Sequence, residues 1–288
     1  MHYIQEFPQQ TTSGQVSALP FRDASDDLSE RLSAALRRAG GPLHLLIDYD
    51  GTLVPYKSTP DEAAPDAGLL RLLGALAVDP RIAVHIVSGR SIHSIDCWFR
   101  ELCVDLWAEH GAGHRPSEGG AWQYLVDGTG DWFERAATFL EEVTRETPGS
   151  LLERKTTCIA WHYRLVEPHR ATEQLARMRH ELPKLLGAAV ELFEGRMVLE
   201  IRKRGVSKGM AVRHILENVP SRGPIVAIGD DRTDEEMFLA LPPSGVAIRV
   251  GDGSTRARYS LADFRAVRRL LERLLEAPGT GGETKELR

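Results

Sequence analysis

Continuous apolar runs alternate with stretches of helical period along most of the chain. The runs are LHLLI ahead of DYDGTL (43–47), RIAVHIV ahead of SGR (81–87), PIVAIG ahead of DD (224–229) and GVAIRV (245–250), with VDLWAEHGAG (104–113) read as a further strand. Between them, DAGLLRLLGALAVD, SIHSIDCWFREL, SKGMAVRHILENV and TDEEMFLALP place apolar residues at helical spacing. Strands that are apolar throughout, each followed by a helix, predict a parallel sheet covered on both faces. A further helix is expected in DDLSERLSAALRRAGG, where Leu28, Leu32, Ala35 and Leu36 share one face and a Gly-Gly pair ends it.

The pattern changes between about 114 and 204. GAWQYLV, LERKTTCIAWHYRLV and AAVELFEGRMVLEIRK mix polar with apolar residues, and DWFERAATFLEEVTRE and PHRATEQLARMRHELPKLL read as helices beside them. Such strands fit an α+β layer with one open sheet face. The expected organisation is a flexible arm over 1–25, a parallel α/β core over 26–113 and 205–276, an inserted α+β cap over 114–204, and a flexible tail over 277–288. No internal repeat interrupts this division.

Composition narrows the partners. With 42% hydrophobic and 27% charged residues the chain is globular, and a net charge of −5 with dispersed Lys and Arg argues against nucleic acid. Three cysteines without CxxC spacing suggest neither a disulfide framework nor a zinc knuckle. No apolar run reaches membrane-spanning length and no signal-peptide pattern opens the chain, so a cytoplasmic location without membrane contact is expected. Nothing in the sequence sets an oligomeric state.

In an open α/β sheet, ligands bind at the carboxyl ends of the strands. Those ends carry Asp48 and Asp50, then Ser88, then Glu109-His110, then Asp230-Asp231 with Asp234 close behind, while Lys208 begins a helix. Several carboxylates in one pocket raise one another's pKa unless a cation sits among them, and all-oxygen ligation with room for water and phosphate suits Mg²⁺. Ser88, the backbone N–H groups of the turn at Gly51, and Lys208 offer a cradle for a phosphate dianion. A carboxylate beside phosphorus can act as nucleophile, and a second one nearby as acid and base. DYDGTLVPYKST is no calcium loop, since its glycine is fourth and its twelfth residue is Thr59. His110 and His114 have a zinc-like spacing, but Gly111 and Gly113 place them in a loop.

DYDGTL, VSGR, SKG and GDDRTDEEMF, in this order, resemble the four motifs of the haloacid dehalogenase superfamily of phosphatases. AEHGA, ERKTTCIAWHYR and GRMVLEIRKRGVSKG further resemble the trehalose-6-phosphate phosphatases. The resemblance implies a Rossmann-like core with an inserted cap and hydrolysis of a sugar phosphate through an aspartyl-phosphate. Asp48 would be the nucleophile and Asp50 the acid/base. Asp48, the Asp50 carbonyl and Asp230 would hold Mg²⁺, with Asp231 and Asp234 in support, and Ser88, Gly51 and Lys208 would hold phosphate. Glu153, Lys155 and Glu200 would grip the sugar, with Arg90 and His110 also on the substrate side. At 288 residues the chain is too short for a full glycosyltransferase module as well, so a separate synthase is expected. Two positions depart from the pattern: Arg196 stands where lysine is expected, and RKRG (202–205) where a proline is more frequent. A phosphatase or phosphomutase acting on another sugar phosphate shares the same core motifs. A non-catalytic regulatory subunit, the more distant alternative, would be expected to have lost Asp48, Asp50 or Asp230, all of which are present.

Overall fold

The computed structural model describes residues 25–277 apart from 58, 60, 127–129 and 220–222. The expected arm and tail therefore lie, but for Ser25 and Ala277, outside the described residues. In chain order the elements begin α1 (Ser25–Arg38), β1 (Leu43–Ile47), α2 (Ala67–Ala77), β2 (Ile82–Val87), α3 (Ile92–Phe99), β3 (Asp105–Ala108), β4 (Gly113–Arg115) and β5 (Gln123–Tyr124). There follow α4 (Trp132–Glu146), β6 (Leu151–Arg154), β7 (Cys158–His162), α5 (Pro168–Leu186), β8 (Val190–Gly195) and β9 (Val198–Lys203). The chain returns through α6 (Gly209–Asn218), β10 (Ile225–Gly229), α7 (Asp234–Ala240), β11 (Val246–Val250), β12 (Tyr259–Leu261) and α8 (Phe264–Glu276).

The larger sheet has the order β12-β11-β10-β1-β2-β3-β4-β5. It is parallel from β12 to β3 and antiparallel beyond. The alternating directions of β1 side chains explain why its run is apolar throughout. Leu45 and Ile47 enter the core formed with α1, α2, α3 and α8, while Leu46 joins the opposite core with α6 and α7. All five residues of β1 and of β10 are buried. The α/β core expected from the sequence is thus the one that forms.

The smaller sheet, β6-β7-β9-β8, is antiparallel. Ile159, Trp161, Leu199 and Ile201 point from it into a separate core with Phe133, Leu140, Met178 and Leu182 of α4 and α5. Its other face, expected to be open, turns instead towards the carboxyl edge of the large sheet, and Ala160, Glu200 and Arg202 on it are buried. Two further findings shift the sequence picture. Residues 114–124, expected in the insert, belong with the large sheet through β4 and β5, so the four-stranded unit and its helices occupy 132–203. The run VDLWAEHGAG leaves its strand at Ala108, and Glu109–Gly111 form a tight 3₁₀ turn.

Candidate active site

β1 delivers Asp48 to the carboxyl edge of the sheet, where its backbone N–H still bonds to Ile228 of β10 (2.9 Å). Asp48 is buried, its side chain 5% exposed, and Lys208, ahead of α6, donates to its Oδ1 at 2.6 Å. The same ammonium donates to Asp234 Oδ1 at 2.8 Å. Asp234 is fully buried and its Oδ2 accepts the backbone N–H groups of Asp230 (2.8 Å) and Asp231 (2.9 Å), which shapes the turn after β10. Asp231 Oδ1 accepts from the N–H and hydroxyl of Thr233 and closes that turn.

Charge dominates this corner. Burial raises Asp48 well above the usual carboxylate range, with Asp234 and Asp230 adding to it and Lys208 opposing. Burial, helped by Asp234 and Asp231, pushes Asp230 up to about 7. One carboxylate oxygen from each of Asp48, Asp230 and Asp234 lies within 4.8 Å of the others. Both Asp234 oxygens are engaged by donors, whereas Asp230 Oδ1 is buried with no hydrogen-bond partner among the described residues. An orphaned buried acceptor among crowded carboxylates is what a hard cation would satisfy, so the residues fit a metal ion.

Asp50 turns the other way. Gly51 takes φ +88°, which reverses the chain, and a side chain there would collide with the Asp230 carboxylate and the Tyr56 ring. Asp50 then receives Arg90 through two bonds, Nε to Oδ2 at 2.7 Å and an Nη to Oδ1 at 2.8 Å. Arg90 lies over the Trp98 ring at 4.6 Å from its centroid and is largely buried. Burial opposes its charge, but the hydrogen bond and charge of Asp50 hold its pKa above the ordinary value. Arg90 lines the cavity, as expected of a substrate contact, yet its guanidinium is committed to Asp50. Ser88, 1% exposed at the end of β2, lies beside it and accepts the Arg90 N–H at 3.2 Å.

The other face of the small sheet roofs these groups. Its register aligns Glu153, Ala160, Glu200 and Phe193 in one row, and Leu151, His162, Val198 and Gly195 in the next but one. Apart from Ala160, all of them line the cavity, of about 210 Å³, that also contains Asp48, Ser88 and Lys208. Ala160 leaves room between the two carboxylates. Lys155 donates to Glu200 Oε1 at 2.6 Å and to the Gly89 carbonyl of the core at 2.9 Å. His110 Nε2 meets Glu200 Oε2 at 2.5 Å, and Glu153 pairs with His162 at 2.9 Å. Burial opposes ionisation of Glu200, but His110 and Lys155 win and hold it well below the usual range. The sugar-side candidates thus already bridge roof and core.

Two residues went unassigned in the sequence. Tyr56 lines the cavity from the core, with Arg196 (4.5 Å) and Arg164 (5.6 Å) of the roof over its ring. Glu109 is fully buried and reaches into the roof. The carboxyl-edge position of Glu109 was the available signal for it; Tyr56 carried none.

Carboxylates, a buried lysine and a hydroxyl at the carboxyl edge of a parallel sheet, under an inserted roof, define a hydrolase core of the haloacid dehalogenase type. A solved haloacid dehalogenase-like hydrolase from Bacteroides thetaiotaomicron shares the fold (TM-score 0.59, 16% identity, 81% of this chain and 99% of that one). The trehalose-phosphatase family model matches residues 46–267, and the chain belongs to that family. A bifunctional trehalose-6-phosphate synthase/phosphatase from Thermoproteus tenax is 38% identical over 250 residues, 86% of this chain and 33% of its own. The trehalose-6-phosphate phosphatase C-terminal domain of C. albicans superposes with TM-score 0.78 at 28% identity, over 86% of this chain and 96% of that one. The chain spans only a quarter to a third of the length of the larger curated relatives, 33% and 24% in two of them.

Proposed function

We propose that this protein is a Mg²⁺-dependent phosphatase that hydrolyses trehalose 6-phosphate to trehalose and phosphate. The observation that carries the reading is the pairing of a buried Asp48–Lys208 contact with a roof that presents Glu153 and Glu200 from its strands, and Lys155 from the turn after β6, to the same cavity. Curated trehalose-phosphatases among the relatives, such as that of Zygosaccharomyces rouxii (34% identical over 218 residues), support the substrate.

The chemistry follows from where the side chains stand. An oxygen of Asp48 attacks phosphorus while the bond from phosphorus to the sugar oxygen breaks, and Asp50 gives that oxygen its proton. Water then attacks the phosphorus of the aspartyl-phosphate and passes a proton back to Asp50, which frees phosphate and restores Asp48. Arg90 orients Asp50 throughout, and Lys208 holds the Asp48 carboxylate and offers its charge to the phosphoryl oxygens, with Ser88 and the turn at Gly51 completing the cradle. Asp48, the Asp50 carbonyl and Asp230 would hold Mg²⁺, steadied by Asp231 and Asp234. When bound, the ion offsets the carboxylate charge and polarises the phosphoryl group. The roof over 114–204, minus the two strands that join the large sheet, excludes water and reads the sugar. Among the described residues no helix is long and apolar enough to cross a membrane, which is consistent with a cytoplasmic enzyme.

The test is phosphate release across a panel of sugar phosphates with Mg²⁺ and with excess chelator. Trehalose 6-phosphate should be hydrolysed best, and chelation should stop turnover until Mg²⁺ is restored. Preference for another sugar phosphate would overturn the substrate, and full activity in chelator would overturn the metal.

A further inference from the structure

Glu109 takes no part in the chemistry above, yet it is 0% exposed and every oxygen of its carboxylate is engaged. Oε2 accepts the Thr157 N–H and the Thr157 hydroxyl, each at 2.6 Å. Oε1 accepts the Thr156 N–H at 3.0 Å and the Ile92 N–H, at the start of α3, at 3.4 Å. Thr156 and Thr157 form the turn between β6 and β7, and Lys155 precedes them. A core carboxylate thus gathers three donors of the roof.

The backbone of the same residue grips the opposite partner. Glu109 N–H donates to the Arg90 carbonyl at 2.9 Å, and His110 N–H donates to the Ser88 carbonyl at 3.0 Å. Both residues hold left-handed backbone, φ +49° and +59°, which non-glycine residues adopt only when their surroundings over-determine it. That conformation lets the His110 ring reach Glu200 while it lies against Gly89, where a side chain would strike the ring. The Gly89 carbonyl in turn accepts Lys155. One strained step after β3 therefore touches the Ser88–Arg90 loop with its backbone and the roof with its side chains.

We propose that Glu109 is a positioning residue for substrate selection: it docks the β6–β7 turn onto the Ser88–Arg90 loop and so fixes Lys155 and Glu200 at a set distance from Ser88. A ligand held by its phosphate is then measured by the roof against that distance. The inference rests on the phosphatase reading but not on which sugar is preferred. Glutamine at 109 keeps the volume and turns an amide N–H₂ against backbone N–H groups, so one side of the dock must open. Replacing Thr157 with valine removes one donor from the roof side and leaves the core intact.

The experiment compares Glu109→Gln, Thr157→Val and Thr157→Ser with the unaltered enzyme, using the best sugar phosphate of the panel and p-nitrophenyl phosphate, with Mg²⁺. The ratio of the two kcat/KM values should fall about tenfold or more in Glu109→Gln, mainly through KM for the sugar phosphate, the loss expected of charge-assisted hydrogen bonds. Thr157→Val should move it the same way by less, and Thr157→Ser should restore it. Hydrogen exchange at the Thr156 and Thr157 amides should accelerate in parallel. A ratio unchanged in both Glu109→Gln and Thr157→Val, with both substrates falling together or neither falling, would overturn the proposal. Unaltered exchange at those amides would overturn it too. A wrong sugar assignment shows itself earlier, in the panel, and leaves the exchange measurement intact.

Discussion

Replacing His85 with glutamine should remove an acid sensitivity built into the floor of the sheet. His85 stands on β2, 4% exposed, with the Trp107 indole N–H donating to its Nδ1 at 3.4 Å. An indole can only donate, so Nδ1 must accept and the imidazole proton sits on Nε2, 2.9 Å from His44 Nδ1. A second proton would set N–H against N–H. Burial drives the pKa of His85 from 6.5 down to about 4, Asp105 opposing while His44, His114 and His214 push the same way. Because the folded value is the lower one, the unfolded chain takes the proton first. Stability is therefore complete above pH 6.5 and declines as pH falls towards 4, where the loss levels off. The separation is worth about 3 kcal/mol in full and about 2 kcal/mol by pH 5. Urea unfolding at pH 7.5 and 5.0 measures it, since carboxylate titrations common to both proteins cancel in the difference. The unaltered protein should lose about 2 kcal/mol more than His85→Gln between these conditions, or roughly 4–8 °C in Tm. Equal losses in the two proteins would refute the tautomer argument.

Two further predictions concern catalysis. Asp48→Asn should abolish turnover and phosphoenzyme formation, while Asp50→Asn should slow turnover by about 10²–10⁴-fold and still bind phosphate; single-turnover assays with mass detection of the phosphoenzyme separate the two. Glu200→Gln weakens the bridge between Lys155 and His110 without emptying it, so kcat/KM for trehalose 6-phosphate should fall by about tenfold or more while p-nitrophenyl phosphate changes little; a parallel loss on both substrates would assign Glu200 to the fold.

The core of the site was legible because its residues sit where strands end, and strand ends can be read from apolar runs. Asp48, Ser88 and Asp230 needed only that rule, whereas Lys208 is read from its place at the start of a helix. The pairing of Arg90 with Asp50 did not follow from that rule, since the bond joins two loops forty residues apart in sequence and depends on how β1 and β2 are registered. The limit of the insert escaped for a similar reason. Gly113–Arg115 and Gln123–Tyr124 are too short to show a period, and they are held by pairing, β4 with β3 and β5 with β4, rather than by local pattern. The C-terminal β12 and α8 also went unread as elements, although α8 covers the first core with Leu270, Leu271 and Leu274. In the roof, the alternation of charge in LERK and VLEIRK pointed to one face. Only the register, which sets Glu153 and Glu200 on either side of Ala160, places them over the same cavity.

Two like charges one residue apart at the end of a buried strand would ordinarily destabilise both the strand and each other. Here they are separated by direction rather than by distance along the chain. Asp48 continues the line of β1 and meets Lys208, a cation brought by α6 from the far end of the sequence. Asp50, the residue before the tight turn at Gly51, meets Arg90, a cation brought by the loop after β2. Each carboxylate thus has its own counter-charge on a different element, and removing either cation would leave its partner buried and unpaired, at a cost of about 3–5 kcal/mol where enclosure is complete. That penalty is larger for Asp48, at 5% side-chain exposure, than for Asp50, at 27%. The difference suits the proposed tasks: Asp48 would stay fixed at one point in line with phosphorus, whereas Asp50 would exchange protons with the leaving oxygen and with water, for which contact with the open side of the cavity is an advantage.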